Sequence, residues 1–106
     1  MNYSEAIEEF LSSAKDEELK KRYRASVTLY FKAIAEICDC IIYNKIRKIP
    51  SNHTERFEFL KNLFPDIYKI LDETFSIYQA TYRRNITKEE LERIKNALER
   101  IKSYNK

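Results

Sequence analysis

Apolar residues recur every third or fourth position along most of this chain, the spacing that lines one face of an α-helix. Near the start, Tyr3, Ile7, Phe10, Leu11 and Ala14 share a face, with Glu5, Glu8, Glu9 and Ser12 between them. Asn2 and Glu5 have the spacing of a capping box, and early acidic residues suit the positive end of a helix dipole. The polar run from Lys15 to Lys21 either ends this helix or carries it exposed into a turn. From about Lys21 to Ile46, Tyr23, Val27, Tyr30, Phe31, Ile34, Ile37, Cys38, Ile41 and Ile42 keep helical spacing with no proline to interrupt them. Ala25, Ala33 and Ala35 widen that face, as expected of a central helix touched by several neighbours.

Pro50-Ser51-Asn52-His53-Thr54 marks one clear loop, because proline disfavours helix for its predecessor and Ser, Asn and Thr favour caps. A short helical piece from Glu55 to Phe64 follows, with Phe57, Leu60 and Phe64 in register, and Pro65 suits the first position of the next helix. Ile67, Ile70, Leu71, Phe75, Tyr78 and Tyr82 give another long amphipathic face, closed by Arg83-Arg84-Asn85, where cations would meet the negative end of the dipole. Thr87 and Glu90 form a capping box for a last helix whose apolar stripe is Leu91, Ile94, Leu98 and Ile101. The pattern predicts an all-α fold, an up-and-down bundle of four to five helices in a single domain over residues 1–106.

Composition sharpens this picture mostly by exclusion. There is no glycine in 106 residues, so the P-loop, the dinucleotide-binding fingerprint and the glycine loop of kinases are all missing. An apolar content of 43% beside 35% charged residues is that of a chain that buries one core. No apolar stretch approaches the roughly 18 residues needed to span a bilayer, and the N-terminus lacks the basic-then-apolar order of a secretory signal. The expectation is a cytoplasmic protein with no membrane contact. Heavy use of Lys, Glu, Ile and Tyr, with Gln79 the lone glutamine, points to a heat-adapted source. The net charge of +3 does not by itself mark a nucleic-acid binder. One basic cluster, Lys20, Lys21, Arg22 and Arg24, and another, Lys45, Arg47 and Lys48, fall at opposite ends of one long helix, over about 30 Å apart. Cys38 and Cys40 would point about 200° apart on that helix. They read as reduced, packed thiols, and no metal or cofactor is expected.

The order of these features resembles the HEPN family of small helical proteins. The residues that carry the resemblance are the long second helix with Tyr23-Arg24-Ala25-Ser26-Val27-Thr28-Leu29-Tyr30-Phe31-Lys32-Ala33, the loop Pro50-Ser51-Asn52-His53, the aromatic helix with Phe57, Phe59 and Phe64, the cluster Tyr82-Arg83-Arg84, and the terminal helix from Thr87. The resemblance implies a homodimer, and it implies either RNA cleavage or association with a nucleotidyltransferase-type partner, a nucleotide or RNA. The family's ribonuclease signature is an Arg, a polar residue and then a His four to six residues after the Arg. Arg84-Asn85 matches the first half, but Glu89 stands where His would fall. Metal-independent RNA cleavage needs a proton carrier of near-neutral pKa and a cation for the phosphorane, and an exposed Glu titrates near 4.3. The spacing is met literally only by Arg47 and His53, which straddle Pro50 in a loop rather than sitting on the helix the family uses; the simpler reading is that His53 caps or packs at the turn.

The weak catalytic candidates are thus Arg47, His53, Arg84 and Glu89. Candidate ligand contacts are Arg83, Arg84 and Asn85, able to hold a phosphate, with Tyr78 and Tyr82 as surfaces for a base. Arg at a helix end and Tyr at helical spacing also serve purely structural roles. The leading expectation is a non-catalytic binding module. The alternatives are an endoribonuclease toxin of a toxin–antitoxin pair with a departed motif, and a helical scaffold without ligand.

Overall fold

The computed structural model describes residues 3–104, and of residue 3 the backbone alone; the Asn2–Glu5 box and the Tyr3 side chain lie outside the described residues. Among them the chain forms five helices and no strand: α1 (Tyr3–Leu19), α2 (Tyr23–Ile46), α3 (His53–Leu63), α4 (Pro65–Ala80) and α5 (Lys88–Lys102). The all-α bundle expected from the spacing is what forms. Among the described residues, no helix is long and apolar enough to cross a membrane.

Helix α2 packs against all four others, which is why its apolar positions outnumber those of a one-sided helix. Val27, Phe31, Ala33, Ile34, Cys38 and Ile42 are at most 1% exposed and meet Leu60, Ile67, Leu71, Leu91, Ile94 and Ile101 from α3, α4 and α5. Ala25, by contrast, is exposed and adds nothing to the core. Truncating one of the fully buried large side chains, such as Ile34, would cost about 2–5 kcal/mol.

The helix ends explain the chain's path. The polar run after α1 does end it: Lys21 turns with φ 60, and Arg22 N donates to Glu17 O at 2.9 Å. At the far end of α2, Arg47 takes φ 58 as its C-cap and donates from its N–H to Tyr43 O. These two left-handed residues stand where glycine is usual. Asn52 caps α3 by accepting from Glu55 N at 2.9 Å, so α3 begins at His53, two residues earlier than the apolar register suggests. Pro65 opens α4, and the Thr87–Glu90 capping box opens α5.

Helix α4 is shorter than its apolar stripe predicts. Thr81, Tyr82 and Arg83 donate to carbonyls three residues back, and the Thr81 hydroxyl donates to Tyr78 O at 2.7 Å. The chain tightens and turns inward to bury Ile86. Tyr82, Arg83, Arg84 and Asn85 therefore lie in the α4–α5 turn, not in the last helical turn, and Tyr82 is 74% exposed where a core-facing position was expected.

Candidate functional site

The Asn52 cap fixes the site. Glu55 answers it by accepting from Ser51 N at 3.0 Å and from the Ser51 hydroxyl at 3.2 Å, which locks the entry to α3 with His53 at its first position. Arg56, three residues on, shares the face of His53. Its guanidinium reaches across to α2 and clamps Asp39 through Nε–Oδ1 at 2.6 Å and Nη2–Oδ2 at 2.9 Å. Its third nitrogen, Nη1, lies 2.7 Å from His53 Nδ1. A guanidinium only donates, so Nδ1 accepts, and the neutral ring carries its proton on Nε2. Burial, then the charges of Arg56 and Lys32, hold the imidazole below its ordinary value against the pull of Asp39. The chain Asp39–Arg56–His53 thus ends in a neutral histidine with a free donor.

Aromatic rings close around this histidine. His53 lies 5.8 Å from Phe31, 5.4 Å from Phe75 and 6.4 Å from Tyr78, between ring centroids. Tyr78 stacks on Phe31 at 4.4 Å and 13°, and its hydroxyl meets that of Tyr82 at 2.8 Å. That bond, with burial, pushes the Tyr78 phenol up to about 12, so it is neutral near pH 7.

Two depressions meet along the ridge made by His53 and Tyr78. On one side is a cavity of about 270 Å³ lined by Phe10, Lys32, Glu36 and Arg56, with Phe31 and Asn52 completing its wall. On the other is a cleft of about 420 Å³ formed with Phe75, Gln79, Tyr82 and Arg83. Lys32, Glu36 and Arg83 make no hydrogen bond or ion pair with any described residue. Glu36 is pushed up by burial and by Asp39, with Arg56 opposing.

The sequence candidates divide accordingly. His53, Tyr78, Tyr82 and Arg83 come together. Arg84 is drawn away: its two terminal nitrogens grip the Glu90 carboxylate at 2.8 and 2.7 Å, and this holds Glu90 down at about 2. Asn85 accepts from Arg24, which also donates to Arg84 O at 3.0 Å, so Arg84 and Asn85 brace the α4–α5 turn. Asn85 opens instead on a basic groove with Lys21, Arg22 and Arg24. Glu89 is exposed on α5. Arg47 lies over its own helix's Tyr43 ring at 5.3 Å, while the cation on His53 is Arg56. Spacing alone missed Asp39, Arg56, Lys32 and Glu36. The signal for the first two was a charged residue, Asp39, amid the apolar run Ile34–Ile42, which demands a partner.

Among the described residues, no group of three or more His, Cys, Asp or Glu side chains is placed to hold a metal. Cys38 is buried and Cys40 half-buried, both free, and burial pushes the Cys38 thiol up to about 12. Comparison of the chain with protein-family models, with curated proteins and with solved structures finds no match to any of them.

Proposed function

We propose that this protein is a non-catalytic binding module that takes a nucleotide, free or as part of single-stranded RNA, across the His53–Tyr78 ridge. The observation that carries this reading is the pairing of the two depressions. Each offers aromatic surface beside an uncommitted cation, Lys32 in the cavity and Arg83 in the cleft, and one residue pair divides them. Bases stack on aromatic rings in single-stranded recognition and phosphates seek such cations. The exposed Tyr82 ring is the stacking surface, and the His53 Nε2–H and Gln79 supply hydrogen bonds. Fluorescence anisotropy with a labelled single-stranded RNA tests this: Tyr82→Ala should weaken binding by about 1–3 kcal/mol. Unchanged affinity in Tyr82→Ala and Arg83→Ala would remove the proposed surface.

The resemblance to HEPN proteins supports the same reading and adds a second copy of the chain and a nucleotidyltransferase-type partner. Light scattering of the purified protein tests the dimer, and co-purification with a co-expressed nucleotidyltransferase tests the partner. One observation favours the endoribonuclease reading: a cation, Arg56, sits on a neutral histidine, the pair of groups that metal-independent cleavage uses. Against it, that guanidinium is already spent on Asp39. RNA should remain intact with this protein in EDTA; cleavage abolished by His53→Ala would make it an enzyme.

A further inference from the structure

The polar groups around the 270 Å³ cavity fall into two sets. Arg56 is committed to Asp39 and His53, and the Asn52 side-chain oxygen Oδ1 to Glu55 N. Lys32 and Glu36 are committed to nothing described. They stand one turn apart on α2 with Lys preceding Glu, the less favourable order for an i,i+4 ion pair, and none forms. The cavity therefore presents one half-buried carboxylate as its free acceptor. Its free donors are the Lys32 ammonium, the His53 Nε2–H and the Asn52 side-chain amide. Its volume, just under the roughly 300 Å³ at which small-molecule pockets begin, suits one base or nucleoside, and Phe10 and Tyr78 give a planar group apolar walls.

We infer that this cavity recognises guanine, with Glu36 accepting from the N1–H and the 2-amino group of the base. The inference rests on the nucleotide-binding reading above and names its base. Only guanine places two adjacent donors on its pairing edge, which a carboxylate satisfies with both oxygens, as it does a guanidinium. Adenine and cytosine set one amino donor beside a ring nitrogen that repels the carboxylate. Uracil sets one N–H between two repelling carbonyls. The guanine O6, beside N1, takes the proton offered by His53 Nε2–H or by Lys32, so the cavity's acceptor and one of its donors are answered by a single edge. Where His53 takes O6, the Lys32 ammonium is left to face the phosphate of a 5′-monophosphate.

Calorimetric titration of the full chain with guanosine, adenosine, cytidine and uridine 5′-monophosphates tests this directly. The guanine nucleotide should bind at least about tenfold tighter than the other three, as expected of one good bidentate contact. Glu36→Gln keeps the shape but sets an amide donor against the guanine donors. It should weaken the guanine nucleotide and strengthen the adenine nucleotide, whose amino group and ring nitrogen match an amide's acceptor and donor, so that the guanine preference is lost. Equal affinities in the wild-type protein, or a preference that survives Glu36→Gln, would overturn the guanine assignment while leaving nucleotide binding standing. Failure of all four to bind would overturn both. So would binding of free tyrosine or phenylalanine in their stead, its ammonium on Glu36. The wild-type comparison requires no variant to fold.

Discussion

Two chains of polar residues anchor the bundle to α2, and they end differently. At one pole, Glu18 of α1 accepts from the Tyr30 hydroxyl at 2.8 Å through one oxygen and from Lys95 Nζ of α5 at 2.8 Å through the other. Both carboxylate oxygens are spent, and three helices are tied. Burial raises Glu18, yet the bonds from Lys95 and Tyr30 outweigh it and hold the group below its usual range; burial and Glu18 together push the Tyr30 phenol well up. At the other pole Asp39 and Arg56 close on each other, but the chain continues to His53, whose second nitrogen and neighbours Lys32 and Glu36 face a cavity. A closed polar network specifies architecture, because nothing in it is left to bind. An open one of the same size leaves donors and an acceptor for a ligand.

The largest effect that would break this comparison lies in the open pole. The Arg56 and Asp39 side chains are only 12% and 8% exposed, so Asp39→Ala strands a buried cation and should cost about 3–5 kcal/mol in chemical denaturation. If the cost is under about 1 kcal/mol, the clamp is not holding α3 to α2. In the closed pole, Tyr30→Phe removes one bond to a charged group from a residue 2% exposed, and should cost about 1.5–3 kcal/mol. The Lys95 and Glu18 side chains are 34% and 25% exposed, so Lys95→Ala should cost no more than about 1 kcal/mol once solvent screening is allowed for. A reversal of this order would make the closed pole the main tie.

A subtler effect separates the poles by pH. The sole histidine's folded-state value lies below its unfolded one, so the unfolded chain binds the proton more readily. Its contribution to stability is present above the unfolded value of about 6.5 and is lost as pH falls from there through the lower folded value. Proton NMR of the ring should show a titration midpoint below 6.5. In Arg56→Ala the midpoint should rise, because a repelling cation is gone while Asp39 remains. Glu36 moves the other way: its raised value means that acid neutralises it before an ordinary Glu, and any guanine preference should fade over the same range. The groups it faces there are Lys32, Asp39, His53 and Arg56.

Most of the bundle was legible because its signals are local. The Thr87–Glu90 box, Pro65 and the α2 stripe each need only a few neighbouring residues, and each forms as spaced. The early start of α3 was missed because Asn52 acts through a cap that apolar register does not report, and the early end of α4 because the burial of Ile86 overrides the Tyr78–Tyr82 stripe. The site was legible only in part. His53 and Tyr78 were visible as residue types, but the ring cluster that joins them comes from α2, α3 and α4 together. The Asp39–Arg56 clamp spans 17 positions, beyond any single helical period. The Arg–x–His spacing pointed to Arg47, whereas helix geometry set Arg56 on the face of His53.

The smallest effect sharpens that last distinction. Arg47 and Lys21 both hold positive φ at the edges of α2, at a backbone cost of about 1–2 kcal/mol each for a residue with a Cβ. Glycine relieves that strain but gives back part of the gain through the greater freedom of the unfolded chain. Arg47→Gly and Lys21→Gly should therefore each stabilise the protein by up to about 1 kcal/mol. Arg47→Gly carries a second expectation, since its guanidinium lies over Tyr43 and not on His53. Affinity for nucleotide or RNA should be unchanged in this variant, while Arg83→Ala weakens it. A loss of binding in Arg47→Gly without loss of stability would put the C-terminal end of α2 in the ligand's path and move the site away from the ridge.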